Sequence, residues 1–308
     1  MTRTCRIVGA PVQSGAGLRG CQMGPAALRT AGLVETLKKL ELDVHDLGDI
    51  GPERGAAPSH PNPRLRNFAE TVDWIRTLGD VAYDVASGCD VPIFLGGDHS
   101  LSGGTVPALA RRAADQDRPL FVLWLDAHPD LHTLGSTTSG NLHGTPVAYF
   151  TGMEDFDGYP ALEARVDPKH VMMMGIRSVD PAECERILSV GMEVIDMRAI
   201  DERGIVAPLN AFIERVKAEN GHLHVSLDVD FIDPGIAPAV GTTVPGGVTF
   251  REAHLITEIL HDSGLVTSLD LVELNPFLDE RGKTAILLTD LTASLFGRRI
   301  LDGRSRDL

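Results

Sequence analysis

A run of apolar residues followed at once by acids and histidines occupies residues 120–132, which read LFVLWLDAHPDLH. Leu120–Leu125 has the continuous apolar character of a strand that is buried on both faces of a sheet. While the chain stays extended, side chains two residues apart point the same way, about 6.6 Å apart. We therefore expect Asp126, His128 and Asp130 to share one face where the strand ends.

Seven further short runs have the same character and are predicted as strands: Cys5–Gly9, Asp43–Leu47, Val91–Leu95, Val171–Met174, Glu193–Asp196, His224–Leu227 and Val266–Leu271. Stretches of helical length lie between them: Gly24–Leu40, Leu65–Ser87, Leu101–Ala113, Ala182–Val190, Pro208–Ala218, Arg251–His261 and Lys283–Phe296. Pro208 is expected at the first position of its helix, where a missing N–H costs nothing. Alternating strands and helices predict βαβ units. We predict an α/β fold with three layers, α/β/α, around a mostly parallel sheet of about eight strands. A closed (β/α)₈ barrel is the competing topology.

The composition of the chain limits its organisation and its partners. It has 308 residues, with 28 Lys and Arg against 43 Asp and Glu, which gives a net charge of −15. This excess of acid argues against nucleic-acid binding, which needs a clustered basic surface. The Pro- and Gly-rich segment 51–66 is interpreted as a surface loop, because the alternation of strands and helices continues after it. We predict a single domain over residues 1–308.

Cysteine spacing and hydropathy indicate a cytoplasmic protein. Cys5, Cys21, Cys89 and Cys184 are too scattered for a metal finger or a CxxC motif, and reduced thiols suit the cytoplasm. The sequence has neither an apolar stretch long enough to span a membrane nor the apolar region of a signal peptide at its beginning. We therefore expect no membrane partner.

Two other strand ends carry metal-binding residue types. Asp228 and Asp230 follow an apolar strand, and two carboxylates so placed repel each other unless a cation lies between them. His99 follows a Gly-Gly turn that lets the backbone bend tightly. Any one of these segments could be an ordinary polar loop. Together they predict a metal site formed by His99, Asp126, His128, Asp130, Asp228 and Asp230.

The predicted ligand set indicates the kind of metal. Imidazole mixed with carboxylate suits Mn²⁺, Fe²⁺, Co²⁺ or Zn²⁺, and the carboxylate majority favours Mn²⁺. Four carboxylates favour two ions, since bridging carboxylates hold ions about 3.5–4 Å apart. Such a pair acidifies a bridging water into a nucleophile near neutral pH.

The motifs, taken as a set, resemble those of the arginase (ureohydrolase) family of binuclear manganese hydrolases. They occur in the family's order at Gly96–Ser100, Asp126–Asp130, Ser139–Gly144, Ser226–Asp230 and Glu273–Pro276. The resemblance runs nearly from end to end. The stretch SGNLHG at 139–144 resembles arginases rather than agmatinase-like relatives.

The resemblance implies two Mn²⁺ ions per chain and a reaction. One ion would be held by His99, Asp126, Asp130 and Asp228, and the other by His128, Asp126, Asp228 and Asp230. A metal-bridging hydroxide would attack the guanidinium carbon of L-arginine and release L-ornithine and urea.

The resemblance also assigns three catalytic residues. Asp130 would carry a proton to the leaving amine, Glu273 would pair with the guanidinium, and His143 would shuttle a proton to solvent. From the residues alone, an ion pair at a strand end and an ordinary loop histidine remain open.

For the amino-acid end of the substrate, the family pattern implies contacts from His132, Ser139, Asn141, Asp180 and Glu183. For the guanidinium end, it implies a contact from Thr242. Such residue types are also common in loops, where they bond their own backbone. His132 stands where the family has Asn, and Phe231 replaces a small residue. These departures keep a second substrate open: agmatine, guanidinobutyrate or formiminoglutamate.

Two other classes of protein compete with this hypothesis. A regulatory relative would keep the fold and lose a ligand, and none is lost here. A two-metal phosphoesterase would need a basic clamp for phosphate, which the sequence lacks. The resemblance further implies a homotrimer or homohexamer.

Overall fold

Eight strands form one open sheet in the computed structural model, which describes residues 2–55 and 58–299. The strands are β1 (Thr4–Ala10), β2 (Asp43–Asp49), β3 (Val91–Gly96), β4 (Leu120–Leu125), β5 (Val171–Ile176), β6 (Glu193–Asp196), β7 (His222–Asp228) and β8 (Val266–Val272). Every neighbouring pair is parallel, in the order β2-β1-β3-β8-β7-β4-β5-β6. Within the described residues β2 and β6 are free edges. The open α/β prediction is therefore confirmed and the closed barrel is excluded. Residues 1, 56–57 and 300–308 of the predicted domain lie outside the described part.

Ten α-helices flank the sheet in the described residues. They are α1 (Gly24–Thr30), α2 (Leu33–Lys39), α3 (Phe68–Ser87), α4 (Ser102–Ala114), α5 (Pro146–Phe150), α6 (Pro181–Val190), α7 (Met197–Arg203), α8 (Val206–Ala218), α9 (Phe250–Ser263) and α10 (Lys283–Leu295). Successive residues of a strand point to opposite faces of the sheet. Leu123 accordingly joins the apolar cluster of Phe212 on α8, whereas Trp124 joins that of Trp74 on α3. Helices cover both faces, which is why the central strands are apolar throughout.

Three differences between the predicted and the observed helices have a physical reason, and the other boundaries shift by at most two residues. The helix predicted over Gly24–Leu40 is two helices, because Gly32 has a left-handed φ of 86° that breaks the helix. The helix predicted from Leu65 begins at Phe68. Pro208 is the third residue of α8 rather than the first, which still lies in the first turn, where N–H groups have no helical partner. The short helices α5 and α7, of 5 and 7 residues, escape prediction because they show too little of the helical period.

The order of the strands decides where polar side chains meet. The carboxyl ends of β3, β8, β7, β4 and β5 are consecutive along one edge of the sheet. Ligands of open parallel sheets bind beyond that edge. Segments far apart in the sequence therefore converge there. No helix in the described part of the chain has both the length and the apolar character that crossing a membrane requires.

Candidate active site

A cavity of about 250 Å³ opens at the carboxyl edge of the central strands. Acids and imidazoles dominate its wall, which consists of His99, Asp126, His128, Asp130, His132, His143, Gly144, Ser178, Asp180, Glu183, Asp228, Asp230 and Thr242. All six residues predicted as metal ligands border this cavity. They come from the ends of β3, β4 and β7, as the edge position of parallel strands requires.

The ring of His99 is fixed on two sides. It stacks on the indole of Trp124, with ring centroids 4.0 Å apart and the planes within 3° of parallel. Its Nε2 atom lies 2.8 Å from the Ser226 hydroxyl. This arrangement leaves Nδ1 directed at the carboxylates of the site.

Three carboxylates surround the Nδ1 atom of His99. Their Oδ2 atoms lie 3.0 Å (Asp126), 3.1 Å (Asp228) and 3.3 Å (Asp130) from it. Yet His99 Nδ1 and Asp126 Oδ2 are both buried without a hydrogen-bond partner among the described residues. Buried polar atoms are rarely left without a partner unless an ion or water completes the site.

A second group shares Asp126 with the first. His128 Nδ1 lies 3.0 Å from Asp230 Oδ2 and 3.6 Å from Asp126 Oδ1. The turn after β7 is tightened by the Asp230 N–H, which donates to Asp228 Oδ1 over 2.7 Å. The N–H of Ala127 donates to Asp230 Oδ1 over 3.0 Å and so joins the ends of β4 and β7.

These residues fit a pair of divalent cations. Three groups in the described residues each bring their donor atoms within 4.8 Å of one another: His99–Asp126–Asp130, Asp126–His128–Asp230 and His132–Asp180–Glu183. The first two share Asp126 and consist of predicted metal ligands. The donors are mixed imidazole and carboxylate, which suits Mn²⁺ and its neighbours in the first transition row. A cation in each of these first two groups would give the two orphaned atoms, His99 Nδ1 and Asp126 Oδ2, the partners they lack.

Without ions, protons hold the cluster together. Burial opposes charge on His99, but the Asp126 carboxylate outweighs it and raises the pKa of His99 to about 9. In the same way, Asp126 and its neighbours raise the pKa of His128 to about 12 against burial. Burial, together with the charge on Asp126, raises the pKa of Asp130 well above its usual range. Metal ligands must be deprotonated, so binding of ions here would displace these protons.

Two of the predicted site residues have a left-handed backbone conformation. Asp130 has φ of 48° and Glu273 has φ of 63°. For residues other than glycine this conformation costs about 1–2 kcal/mol each. Such strain persists where the surrounding structure enforces it, and it clusters at functional sites. Two hydrogen bonds hold the backbone around Asp130. The N–H of Val147 donates to the Asp130 carbonyl, and the N–H of His132 donates to the Gly144 carbonyl.

Glu273 lies behind His143 rather than on the cavity wall. Its Oε1 atom accepts from the N–H of His99 over 2.8 Å and lies 2.7 Å from His143 Nδ1. Burial opposes protonation of the imidazole, but the carboxylate outweighs it and raises the pKa of His143. Glu273 therefore orients and polarises the ring that borders the cavity.

The loop that carries His143 is held by a residue that the sequence reasoning missed. Asp98 Oδ2 accepts from the N–H groups of Gly15 and Ala16 over 2.8 and 2.9 Å. The carbonyl of Gly15 in turn accepts from the N–H groups of Leu142 and His143. In the sequence, Asp98 stands between Gly-Gly and His99, and this position alone does not show whether its carboxylate binds a metal or holds a loop.

A second set of polar residues lines the wall after β5. His132 Nε2 lies 3.1 Å from Asp180 Oδ2 and 3.6 Å from Glu183 Oε2. Asp180 caps α6 and keeps a side chain that is 59% exposed. Glu183 is buried and accepts the N–H of Leu131 over 3.0 Å, which ties α6 to the segment after β4. The exposed Asp180 carboxylate can therefore bind a cation that enters from solvent.

The other predicted contacts are placed differently. Thr242 borders the cavity and donates to Asp230 Oδ2 over 3.2 Å. The structure does not place Ser139 or Asn141 on the cavity wall; they lie in the adjoining loop, where Asn141 N–H donates to Ser139 Oγ. Ser178, which borders the cavity, was not predicted, and its only signal was a position shortly after an apolar strand.

Phe231, one of the departures from the family pattern, does not narrow the cavity. Its side chain is buried in the core. A Cβ atom on Gly175 would lie 2.4 Å from the ring, so Gly175 leaves the space that Phe231 fills. The larger side chain of Phe231 is thus accommodated in the core, next to Gly175.

The open parallel sheet and the imidazole–carboxylate cluster at its edge define an α/β enzyme suited to metal-assisted hydrolysis. Comparison with known proteins makes the assignment specific. The sequence profile described as "Arginase family" matches residues 3–297. The chain belongs to the Arginase family, and it is a hydrolase.

Relatives of known name agree over nearly the whole chain. Arginase of Agrobacterium fabrum (strain C58) is 62% identical over 300 residues, which are 97% of this chain and 93% of that protein. Arginase of Brucella melitensis is 60% identical over 97% of each chain. The native structure of arginase from Bacillus caldovelox at pH 5.6 superposes with a TM-score of 0.89 at 37% identity, covering 97% of this chain and 100% of that one.

Proposed function

We propose that this protein hydrolyses L-arginine to L-ornithine and urea with two Mn²⁺ ions per chain. The observation that carries the proposal is the pair of ligand groups that share Asp126 at the floor of one acidic cavity. Relatives named arginase, 60–62% identical over 97% of this chain, support the choice of substrate.

The two Mn²⁺ ions would be held by residues that already lie around the cavity. His99, Asp126, Asp130 and Asp228 would hold one ion, and His128, Asp126, Asp228 and Asp230 the other. When bound, such a pair lowers the pKa of a bound water far enough for it to attack at neutral pH.

The chain's own side chains would bind and orient the guanidinium. The wall around the ligand groups is acidic and suits a planar cation, and Thr242 borders it beside Asp230. Orienting the planar group for attack lowers the barrier by removing rotational freedom in advance. The Asp130 carboxylate borders the cavity and is the group we propose to carry a proton to the leaving amine.

His143 and Glu273 would complete proton transfer. Glu273 engages Nδ1 of His143 over 2.7 Å, which leaves Nε2 as the atom that can exchange a proton with the leaving group or solvent. A histidine held in one orientation by a carboxylate is a common form of general acid and base. In this proposal Glu273 acts through His143, and its negative charge also favours a bound guanidinium.

The far end of the substrate would be held at the mouth of the cavity. Asp180 would bind the α-ammonium group, and His132 and Glu183 would hold the Asp180 side chain in position. Ser139 and Asn141 in the neighbouring loop would receive the α-carboxylate, directly or through water. Recognition of both groups would distinguish arginine from agmatine, which lacks the carboxylate.

We also propose a cytoplasmic homotrimer or homohexamer. Cys5, Cys21, Cys89 and Cys184 are free thiols, which suits a reducing compartment. Phe277 is 83% exposed and Leu188 is 79% exposed, so both side chains are accessible to a second copy of the chain. Light scattering coupled to size exclusion should give a mass three or six times that of the 33.1 kDa chain.

A substrate panel tests the proposal. Metal-free protein reloaded with Mn²⁺ is given arginine, agmatine or 4-guanidinobutyrate, and urea is measured, with a chelated sample as the control. Urea from arginine, lost on chelation and restored by Mn²⁺, supports it. Efficient turnover of agmatine or guanidinobutyrate with none of arginine would overturn the substrate assignment and leave the metal centre intact.

A further inference from the structure

Arg177, the first residue after β5, donates hydrogen bonds to backbone carbonyls alone in the described part of the chain. Its Nη2 atom donates to Asp230 O over 2.5 Å and to Val244 O over 2.7 Å. Its Nε atom donates to Val244 O over 3.1 Å, and its Nη1 atom to Gly175 O over 3.1 Å and Phe231 O over 3.5 Å. The planar fork of donors of an arginine suits this fixed set of acceptors.

The acceptors belong to segments that carry active-site residues. Asp230 is itself a proposed metal ligand, and Val244 lies two residues after Thr242 in the loop that leads to α9. The backbone of Arg177 reaches the third segment, because its N–H donates to Ala127 O, between Asp126 and His128, over 2.9 Å. One residue thus connects the ends of β5, β4 and β7.

The packing around the guanidinium is close, and its positive charge is partly buried near carboxylates. A Cβ atom on Gly247 would lie 2.7 Å from Arg177 Nη2, so the loop approaches with no room to spare. Arg177 forms no ion pair with a carboxylate among the described residues. Burial lowers the pKa of Arg177, and Asp230 and Asp126 oppose that shift, so the charge faces the acidic cluster.

We propose that Arg177 is a positioning residue that sets Asp230 and the Thr242 loop against the end of β4, and so determines how tightly the ion on the His128 side is held. The inference rests on the proposed two-ion function. Residues that orient metal ligands typically contribute about 10–100-fold to metal affinity.

Binding of Mn²⁺ to the full-length protein tests this role without relying on activity. Metal-free wild type, Arg177→Met and Arg177→Lys are titrated with MnCl₂ by calorimetry. EPR detects the magnetic coupling between the two bound Mn²⁺ ions. Arg118→Met is the matched control. Arg118 also donates to backbone carbonyls, of Asn220 (2.6 Å) and Gly221 (2.9 Å), but at the opposite end of β7.

We expect Arg177→Met to raise the Kd of one of two ions by about 10–100-fold and to convert the coupled EPR signal into that of isolated Mn²⁺. Arg177→Lys keeps the charge and loses the fork, so we expect about tenfold weakening. Arg118→Met should lower thermal stability and leave both ions bound as in wild type.

Three results would overturn the role of Arg177. The first is wild-type affinity for both ions in Arg177→Met. The second is full affinity in Arg177→Lys, which would show that the charge is enough without the planar fork of donors. The third is an equal loss in Arg118→Met, which would make the effect one of general stability. If wild type itself bound no Mn²⁺, the proposed function would fail instead, and the two failures are therefore distinguishable.

Discussion

Raising the pH should destabilise the metal-free protein, and Mn²⁺ should reverse this trend. Burial opposes charge on His99, but Asp126 raises its pKa to about 9. A histidine whose pKa is raised on folding contributes stability that is complete below its unfolded pKa of about 6.5. That stability is lost as the pH rises through the folded pKa. The loss should therefore develop between pH 6.5 and pH 9.

The magnitude follows from the size of the shift. One pKa unit corresponds to about 1.4 kcal/mol, so His99 alone accounts for about 3 kcal/mol by pH 9. For a chain of this length that corresponds to a fall of about 5 °C in melting temperature. His128, whose pKa is raised to about 12 by Asp126 and its neighbours against burial, acts in the same direction. So does Asp130, because its raised pKa favours the protonated form in the folded state.

Ion binding should act in the opposite sense. The ligands bind as deprotonated groups, so affinity for Mn²⁺ increases as the pH rises. A ligand that binds only the folded state stabilises it more as its affinity increases. The gain in melting temperature on adding Mn²⁺ should therefore be larger at pH 9 than at pH 6.5.

Calorimetric melting curves in chelator and in Mn²⁺, across this pH range, measure both trends. His99→Asn should flatten the metal-free curve, whereas His45→Asn, a change of an exposed histidine on β2, should leave it unchanged. A melting temperature of the metal-free protein that stays level or rises with pH would contradict this prediction. So would an increase in melting temperature on adding Mn²⁺ that becomes smaller as the pH rises.

Other predictions concern turnover and acid stability. Asp130→Asn should lower kcat for urea release by about 100-fold or more, because proton transfer is lost; circular dichroism checks the fold, and near-normal kcat would exclude the role. Glu273→Gln should move the His143 limb of the kcat–pH profile to lower pH, since the carboxylate that raises the pKa of His143 is gone; an unmoved limb would contradict this. Asp180→Ala should raise KM for arginine about tenfold with little change in kcat, and a fall in kcat alone would count against it. Burial, with two nearby arginines, lowers the pKa of His222 to about 4, so stability should fall as the pH drops from 6.5. His222→Gln should remove about 1–2 kcal/mol of that loss, and an unchanged acid melting curve would refute the assignment.

The parallel sheet and the set of candidate ligands could be predicted because both depend on local pattern. Continuous apolar strands indicate burial on both faces, and parallel strands place their carboxyl ends along one edge. Asp126, Asp228 and His99 therefore meet although more than 100 residues separate the last two. No property of any single segment gives the order of the strands, which emerges only in the folded sheet.

What escaped prediction depends on contacts between distant segments. The left-handed backbone of Asp130 and Glu273 is enforced by neighbouring loops and leaves no local signal. The position of Glu273 behind His143 depends on how the loop after β4 returns across the end of β8. Arg177 reads as a strand-end residue until its acceptors are known.

We propose that this chain hydrolyses arginine at a two-ion site on the edge of its sheet. Titrating metal-free protein with Mn²⁺ while recording urea release from arginine tests it most directly. We expect a rate that rises with bound Mn²⁺ and reaches its plateau at two ions per chain, with arginine hydrolysed far faster than agmatine. No urea from arginine at two bound ions per chain would contradict it.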